Sequence, residues 1–530
     1  MELILSIIFF LTLFFALYKY LTFNFNYFRD HNVPHKKPVP FFGNQFKFFA
    51  KKQSIPDFLL DIGNEFRDEA YVGFYECRTP TLFILSPDAI KQICIKNFDN
   101  FVNHPAFSES ETDDLLLSSV FFMKDQRWRD MRGTLSPAFT GSKMRIMFDL
   151  VRDCAENLVS YCNEKCQENN GLMTFRPKDL FSKVSMDIIC TCAFGLQNDS
   201  LRNPQNQLYQ MFSRIMDMTG IKTVLKFFVM ILSKDLANWL GVSFLPNDTS
   251  NFIKKLVSDT ISYRKKTQEY RPDVIQLLIE AMEGKLKHED NTKNDDESFA
   301  IVKESEIDKK GGRRDWSDVE IAAQCFIFLI GGFDTTSNLF NFISYQLAVD
   351  PEIQEQLYEE VRETQTRLNG APVTYDDIQK MQYLDAFICE CLRKYPPMLQ
   401  IDRICNKETV IHDGKGNSFK IPIGMKVNMN PFATHYNPKY FPNPEKFDPQ
   451  RFLGENKKKI DPYSFISFGV GPRACVGSRF AMMQTKLILY HVVANFAFEV
   501  TEKTGIPMRF VKEFRLEPER PIVGLRKRSS

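Results

Sequence analysis

The chain has 530 residues, 44% of them hydrophobic and 25% charged, which is the composition of an ordinary globular protein. Its 68 lysines and arginines nearly balance its 66 aspartates and glutamates, so the overall charge gives no reason to expect a nucleic-acid partner or a strongly acidic one. The length admits either several domains or one large fold.

The N-terminus carries the first predicted element, an apolar stretch over residues 3–21 with only three polar interruptions. As a helix it would span about 28 Å, close to the roughly 30 Å of a bilayer's hydrocarbon core. Glu2 stands where a cleaved signal peptide would carry basic residues, and bulky tyrosines occupy the place of a small-residue cleavage site. Lys19 and later basic residues predict a cytoplasmic body. We therefore predict an uncleaved membrane anchor over residues 1–22.

A connector follows the anchor over residues 23–44. Its second half reads VPHKKPVPFFGN, and the three prolines in it favour a stiff, extended chain. Such a connector would hold the rest of the protein, residues 45–530, at a fixed attitude to the membrane.

The body of the chain is predicted to be mainly α-helical with small β-sheets. Residues 81–87 read as a strand that ends in a turn, and most of 88–400 reads as helices. Residues 409–422 read as a hairpin turning through Asp413–Asn417, and residues 425–430 as a further strand.

Residues 283–315 are highly charged and poor in apolar residues, with KHEDNTKNDDES at their centre. This composition predicts a mobile surface loop. A domain boundary is the alternative, and we favour it less because the helices on either side need each other to form a core.

One predicted helix has an unusual centre. Ser317 and Glu320 form a capping box ahead of an apolar run that continues to about Leu347, which predicts a helix buried on all sides. Its middle reads GGFDTT over residues 331–336, so it holds two glycines and the potentially buried charge of Asp334. Each glycine costs about 1 kcal/mol relative to alanine inside a helix. We infer that these costs are compensated elsewhere in the structure or by function.

The twelve cysteines do not form a disulfide framework or a zinc motif, since they are scattered and several lie in apolar helical runs. One of them, Cys475, lies in the glycine-rich loop FGVGPRACVG at 468–477. Glycine turns can point backbone N–H groups at a central atom, and the following helix begins beside the sulfur, so both would stabilise a thiolate. A single thiolate excludes a four-cysteine iron–sulfur cluster and leaves haem iron as the natural metal.

This loop resembles the F-G-x-G-x-R-x-C-x-G pattern of the cytochrome P450 family, which is a family of haem-thiolate monooxygenases. The matching residues are Phe468, Gly469, Gly471, Arg473, Cys475 and Gly477. The resemblance implies that residues 45–530 form a single haem catalytic domain. It also implies that Cys475 is the axial ligand of haem b, with the rest of the loop around the cofactor.

A second family motif lies upstream of the loop. Glu390 and Arg393 match the family's E-x-x-R, and Arg451 in FDPQRF matches the arginine that completes a buried brace, although the glutamate usual before that arginine is Gln450 here. The resemblance implies a structural role for these three residues and no chemical step.

Trp128 and Arg132 match the family's W-x-x-x-R helix, and their spacing places both on one helix face. The resemblance implies that they bind haem propionates together with Arg403 and Arg473, with His104 as a further candidate. The alternative is an exposed basic helix whose arginines lie in water.

The pattern of residues 331–336 matches the family's (A/G)-G-x-(D/E)-T-(T/S). The resemblance implies that Asp334, Thr335 and Gly332 serve catalysis, with Thr335 holding a water and Asp334 passing protons towards bound O2. Ile327, Gly331 and Thr335 recur every four residues and so share the face that would look onto the haem. The alternative is a buried Asp–Thr cap at a helix kink.

By similarity, the substrate pocket would be apolar and would suit lipophilic molecules. Its predicted lining is Phe121, Phe122, Ile327, Ile330, Gly331, Met398, Ile401 and Phe514. Residues 221–245 would cover the entrance and dip into the bilayer, or else form an ordinary core helix.

The resemblance implies hydroxylation or epoxidation of lipophilic molecules with O2, in xenobiotic or endogenous lipid or hormone metabolism. No G-x-G-x-x-G motif opens a βαβ unit, so electrons would come from NADPH through a separate cytochrome P450 reductase, with cytochrome b5 as a further partner. Lys457–Lys459, Arg479 and Lys486 form a candidate docking patch, and a solvated basic surface is the alternative.

The expected location is the endoplasmic reticulum membrane with the domain facing the cytoplasm, and the likeness is greatest to insect microsomal detoxifying members of the family. Two alternative functions stay open. One is a haem-thiolate isomerase or dehydratase that rearranges peroxides. The other is a non-catalytic, membrane-anchored protein that binds haem or a lipophile.

Overall fold

The structure is a computed structural model of the chain, and it describes residues 2–105, 113–216, 226, 229, 239–271, 273–282, 285, 298–302, 315–513 and 515–528. Phe514, most of the predicted loop at 283–315 and most of the stretch at 221–245 lie outside the described residues.

Helices make up most of the described chain, as the sequence predicts. In chain order they are α1 (Glu2–Thr22), α2 (Tyr27–Asp30), α3 (Phe46–Phe49), α4 (Ile55–Glu65), α5 (Pro87–Lys91), α6 (Asp114–Leu117), α7 (Asp125–Leu135), α8 (Gly141–Glu168), α9 (Pro177–Ile189), α10 (Gln207–Met216), α11 (Asn247–Thr267), α12 (Val274–Met282), α13 (Asp318–Val349), α14 (Pro351–Leu368), α15 (Tyr375–Lys380), α16 (Gln382–Lys394), α17 (Pro431–His435), α18 (Gly454–Lys459) and α19 (Ser478–Asn495). Short 3-10 or π turns occur at Gln92–Lys96, Phe98–Asn100, Ser136–Phe139, Cys190–Phe194 and Pro449–Phe452.

The strands form three small sheets. They are β1 (Tyr71–Glu76), β2 (Thr79–Ile84), β3 (Leu172–Phe175), β4 (Ile401–Ile404), β5 (Thr409–His412), β6 (Ser418–Ile421), β7 (Lys426–Met429), β8 (Phe496–Glu499) and β9 (Val523–Lys527). The largest sheet has the order β1-β2-β7-β4, in which only the β2–β7 pair is parallel. The other sheets are β3-β9-β8 and the hairpin β5-β6.

The predicted strands at 81–87 and 425–430 are confirmed as β2 and β7, with shifted ends. The hairpin at 409–422 is also confirmed, and its turn is closed by the N–H of Asp413, which donates to the carbonyl of Asn417 at 3.1 Å. The partner strand β1 is not among the predicted strands.

Helix α13 runs through the main hydrophobic core and begins at the predicted capping box. The hydroxyl of Ser317 accepts from the N–H of Glu320, and the carboxylate of Glu320 accepts in return from the N–H of Ser317. Its two ends are buried among the helices around it, α9 above all. The prediction that it is buried all round is wrong in its middle, where most of residues 327–335 are half-buried and Gly331 is exposed, although Leu329 and Phe333 stay buried.

Helix α1 has the opposite character, since its large apolar side chains are exposed along its whole length. Among the described residues, α1 and α13 are the two helices long and apolar enough to cross a membrane, and only α13 is substantially buried in the fold. Helix α1 is therefore the candidate anchor.

The predicted connector makes specific contacts with the folded body. The N–H of Gly73 on β1 donates to the carbonyl of Pro34 at 2.7 Å, and the N–H of Tyr75 donates to the side-chain oxygen of Asn44 at 2.7 Å. Phe28 and Val33 are buried in a second hydrophobic cluster with the β1-β2-β7-β4 sheet. The stretch between anchor and body is thus attached along one edge of a sheet.

Candidate active site around Cys475

Two glycines shape the loop that carries Cys475. Gly469 and Gly471 adopt φ values of 74° and 72°, which disfavour any residue with a Cβ. A Cβ on Gly471 would also lie 2.3 Å from the carbonyl oxygen of Cys94. The loop closes where the N–H of Cys475 donates to the carbonyl of Phe468 at 2.8 Å, and α19 begins directly after Gly477.

Cys475 is the only one of the twelve cysteines that is exposed, and all twelve are described and free. Burial nevertheless raises the pKa of its thiol, while the N–H of Gly477 and the charge of Arg132 act to lower it. A thiol that is both accessible and deeply surrounded by protein faces an internal space. The other cysteines, buried or half-buried, have no such access.

Arg473, two residues before Cys475, forms hydrogen bonds with the chain that precedes α7. Its guanidinium donates to the carbonyls of Val102, Val120, Phe121 and Met123 at 2.5–3.1 Å. It also lies 4.1 Å from the centre of the Trp128 ring. Burial and the nearby guanidinium groups of Arg403 and Arg132 lower the pKa of Arg473 well below its usual range. Because arginine keeps its proton in proteins, this group of cations requires an anion.

Arg403 lies on β4 and is 2% exposed. Its Nη1 donates to the carbonyl of Asp402 at 2.6 Å, and it also lies 3.5 Å from both ring nitrogens of His104. Its Nε and Nη2 make no hydrogen bond to any described residue. These buried donors are available to a ligand, which fits the predicted role of Arg403 as an anion-binding residue.

Helix α7 separates its arginines between two faces. Trp128 and Arg132 are buried on the inner face. Arg127 pairs with Glu320 at 2.6 Å, and Arg129 pairs with Asp99 at 2.8 Å. The exposed-basic-helix alternative therefore describes Arg127 and Arg129, and it does not describe Arg132.

The accessible middle of α13 carries the predicted oxygen-binding residues. Ile327 and Thr335 are half-buried and Gly331 is exposed, so the face that these three share borders an open space. The hydroxyl of Thr335 donates to the carbonyl of Gly331, the backbone acceptor one turn earlier. This satisfied i−4 bond is also what the cap alternative expects, but the cap alternative does not account for the accessible surface around it.

Gly331 and Gly332 have different surroundings. A Cβ on Gly331 would meet no atom within 4 Å, which places Gly331 at the open space. A Cβ on Gly332 would lie 2.3 Å from the side chain of Ile189 on α9. Gly332, predicted with the catalytic residues, is thus located where α9 and α13 pack closely.

Asp334 is half-buried and paired, which corrects the expectation that its charge is buried. Lys178 in the first turn of α9 places its Nζ 3.3 Å from the carboxylate of Asp334 and 3.7 Å from that of Glu517. Glu517 is 1% exposed and also pairs with Arg515 at 3.0 Å and with Arg176. Lys178 could not be predicted from the sequence, because no local pattern connects it with Asp334.

The predicted pocket residues share partial access. Phe122, Ile327, Ile330 and Ile401 are half-buried, and Phe121, Met398 and Gly331 are exposed. Phe121 stacks on His104 with ring centroids 4.4 Å apart, which places this predicted pocket residue next to the arginine group.

The predicted brace is assembled behind the loop. Glu390 and Arg393 are fully buried, and the guanidinium of Arg393 donates to both carboxylate oxygens at 2.7 and 2.8 Å. The Nε of Arg451 lies 3.5 Å from the same carboxylate, and the N–H of Asp448 donates to it at 2.9 Å. The hydroxyl of Ser467, one residue before the Cys475 loop, donates to the carbonyl of Leu392 at 2.7 Å, so the brace helix holds the loop.

One member of the predicted docking patch is not on the surface. Lys486 is 1% exposed and pairs with Asp385 at 2.8 Å, because α19 turns this residue towards α16. Lys457–Lys459 lie on the short helix α18, and Arg479 is half-buried at the start of α19.

The residues described fit a haem. The thiol of Cys475 opens into an internal space, the unpartnered donors of Arg403 suit a propionate, and the apolar, accessible middle of α13 suits one face of a flat macrocycle. The arrangement can hold iron through sulfur, bind two carboxylates and leave an open apolar face.

Known proteins resemble this chain over most of its length. The family model for cytochrome P450 matches residues 33–524. The chain is 36% identical over 513 residues to "Probable cytochrome P450 9f2" of Drosophila melanogaster, covering 95% of both chains. It is 35% identical over 512 residues to "Cytochrome P450 9e2" of Blattella germanica, covering 93% of this chain and 92% of the relative. It is 33% identical over 514 residues to "Cytochrome P450 3A31" of Mesocricetus auratus, covering 96% and 93%.

Proposed function

This chain belongs to the cytochrome P450 family of haem-thiolate monooxygenases, and on that premise we propose that it hydroxylates or epoxidises lipophilic small molecules with O2. The observation that carries the proposal is the internal, accessible thiol of Cys475, in contrast to the other eleven cysteines. We propose a role in xenobiotic metabolism or in endogenous lipid or hormone metabolism.

We expect Cys475 to hold the haem iron, while Phe468, Gly469, Gly471 and Gly477 shape the loop around the sulfur. Arg132, Arg403 and Arg473, together with Trp128, would hold the two propionates. When bound, the haem supplies an iron centre whose thiolate ligand favours cleavage of the O–O bond. The N–H of Gly477 contributes by donating to the sulfur and stabilising its thiolate form.

Thr335 and Asp334 would deliver protons on the side of the pocket opposite Cys475. The hydroxyl of Thr335 can rotate away from the carbonyl of Gly331 and hold a water in the open space. Asp334, next to Thr335 in the chain, is half-buried, and Lys178 forms an ion pair with its carboxylate. This pair can admit a proton while the apolar residues around it keep bulk water out.

The substrate would occupy the apolar side of the same space. Phe121, Ile330, Met398 and Ile401 offer accessible apolar surface and little hydrogen-bonding capacity, which favours lipophilic ligands over polar ones. Phe122, Ile327 and Phe514 complete the proposed lining.

We propose that α1 anchors the protein in the endoplasmic reticulum membrane with residues 45–530, the haem catalytic domain, facing the cytoplasm. NADPH–cytochrome P450 reductase would supply electrons, with cytochrome b5 as a second donor. The lysines of α18 and Arg479 are the remaining candidates for the docking patch, since Lys486 is buried.

The first test is the spectrum of the purified protein, reduced with dithionite and saturated with carbon monoxide. A strongly red-shifted Soret band is expected for the native protein and for the control Cys77→Ser. Cys475→Ser should lose that band while keeping its fold by circular dichroism. A native protein without the shifted band would contradict the thiolate assignment.

The second test separates this proposal from its alternatives. With purified reductase and an oxidisable lipophilic substrate, NADPH consumption should accompany product formation. An isomerase or dehydratase would convert peroxides without NADPH, and a carrier would do neither. Thr335→Ala should divert reducing equivalents into hydrogen peroxide while substrate still binds, whereas Thr335→Ser should stay coupled because it keeps the hydroxyl.

A further inference from the structure

We propose that His104 is a positioning residue for Arg403, because it holds the competing carboxylate of Asp402, and that His104 makes no bond of its own to the cofactor carboxylate. This inference rests on the proposed haem-binding function. The sequence predicts that His104 donates directly to a haem propionate. We infer instead that His104 keeps the carboxylate of Asp402 away from Arg403, which is the donor to the propionate.

His104 is held against the edge of a sheet. Strand β4 is the last strand of the β1-β2-β7-β4 sheet, and the N–H of Ile404 at its end donates to the carbonyl of Asn103 at 2.9 Å. The next residue, His104, is 9% exposed and places its Nδ1 2.7 Å from a carboxylate oxygen of Asp402. His104 therefore contacts two adjacent residues of β4, Asp402 and Arg403.

The surroundings of His104 require a neutral ring. Nη1 of Arg403 lies 3.5 Å from both ring nitrogens, and a second positive charge at that distance would be repelled. Burial, with the charges of Arg403 and Arg473, lowers the pKa of His104 to about 4, despite the opposing effect of Asp402. The one ring proton is on Nδ1, because that nitrogen faces the carboxylate. No N–H of His104 remains for another anion.

Among the described residues, Asp402 is the carboxylate whose charge acts on Arg403. Its pKa is lowered by the hydrogen bond from His104, against the effect of burial, so it is ionised. Its carboxylate accepts from His104 and makes no ion pair with Arg403, whose Nη1 donates to the backbone carbonyl of Asp402 instead. Nε and Nη2 of Arg403 consequently stay available.

Removing the imidazole would change this balance. The carboxylate of the half-buried Asp402 would lose its hydrogen-bond donor. Two cations, Lys426 and Arg403, act on it, and Lys426 is already paired with Glu76 at 2.9 Å, so the guanidinium of Arg403 is the available partner. An ion pair between the two would withdraw Arg403 from the cofactor. The proposal therefore predicts that the damage caused by losing His104 depends on the charge of Asp402.

The experiment compares four full-length haem-loaded proteins: native, His104→Ala, Asp402→Asn and the double variant. The measurement is the rate at which haem passes to excess apomyoglobin, followed by absorbance. His104→Ala should lose haem about tenfold faster, as expected for one charge-assisted hydrogen bond. Asp402→Asn alone should remain near the native rate, and in the double variant it should restore the native rate to within about twofold.

A double variant that loses haem as fast as His104→Ala would overturn the proposal, because a direct donor or a simple packing residue is not rescued by neutralising Asp402. His104→Asn provides the conservative variant, since its amide keeps an N–H where Nδ1 stands, and it should lose haem at the native rate. Rapid loss from a folded His104→Asn protein would also overturn the proposal.

Two checks keep these outcomes separate from other failures. Circular dichroism of each protein shows whether it is folded. The carbon monoxide spectrum of the native protein tests the proposed function on its own. A native protein that does not bind haem through a thiolate would contradict that function. If the native protein does bind haem in this way, the haem-loss rates of the variants test the role of His104.

Discussion

Two groups of buried or half-buried arginines in this molecule differ in how completely the protein pairs them. In the brace, the carboxylate of Glu390 accepts two hydrogen bonds from Arg393 and lies 3.5 Å from Arg451. Near the Cys475 loop, Arg403 and Arg473 form no ion pair with any described carboxylate, and their charges act on each other.

The difference distinguishes a structural charge from a ligand-binding one. When both charges of a buried ion pair belong to the protein, removing one of them leaves the other buried without compensation, and the free energy of unfolding falls. A buried cation that lacks an anion has a desolvation cost that only a ligand can offset.

Removing a partner in the brace should have the largest effect. Arg393→Ala leaves the carboxylate of Glu390 buried without compensation, and the free energy of unfolding should fall by about 3–5 kcal/mol. Urea unfolding should show this loss with and without haem. The matched control, Arg393→Met with Glu390→Leu, removes both charges and should recover much of the stability. An equally unstable double variant would contradict the pairing argument.

Acid should lower the free energy of unfolding at both groups, since a buried neutral histidine contacts each of them. Burial lowers the pKa of His435, which contacts the Arg393 carbonyl, to about 3, and that of His104 to about 4. With an unfolded pKa of about 6.5, the stability from each is full above that pH and is lost as pH falls towards the folded pKa.

For His104 this loss amounts to about 3 kcal/mol between roughly pH 6.5 and 4. Thermal unfolding of the haem-free protein across that range measures it. His104→Asn, which has no titrating ring, should show a shallower decline by that amount. Identical slopes for the native and variant proteins would show that His104 titrates normally.

Replacing the unpaired arginine should separate stability from cofactor binding. Arg403→Met removes a buried charge without an ion-pair partner, so the haem-free protein should gain about 1 kcal/mol of stability while haem loss quickens about tenfold. Arg393→Met, by contrast, should weaken both. A destabilised haem-free Arg403→Met protein would show that the two groups are alike.

The smallest effect is expected on the outer face of α7. Arg129→Ala breaks an ion pair with the well-exposed Asp99, which should change the free energy of unfolding by less than about 1 kcal/mol and leave haem loss unchanged. The buried Arg132, one turn along the same helix, serves as the comparison. Equal effects on haem loss would contradict the division of α7 into two faces.

The sequence alone determined the features that depend on neighbours in the chain. The capping box of α13 and the turn between β5 and β6 are hydrogen bonds across three or four residues, so the residue types suffice to predict them. The positive φ of Gly469 and Gly471 follows likewise from a local turn. The motif spacing also led to the correct family.

Only the tertiary structure decided which distant residues meet. Lys178 reaches Asp334 because α9 packs against α13, and that same packing puts Ile189 where a side chain on Gly332 would lie. Lys486 is buried by the orientation of α19. Each outcome depends on the geometry between elements, which no residue pattern within one element contains. The same reason applies to His104, whose protonation and partner depend on a strand formed almost three hundred residues later.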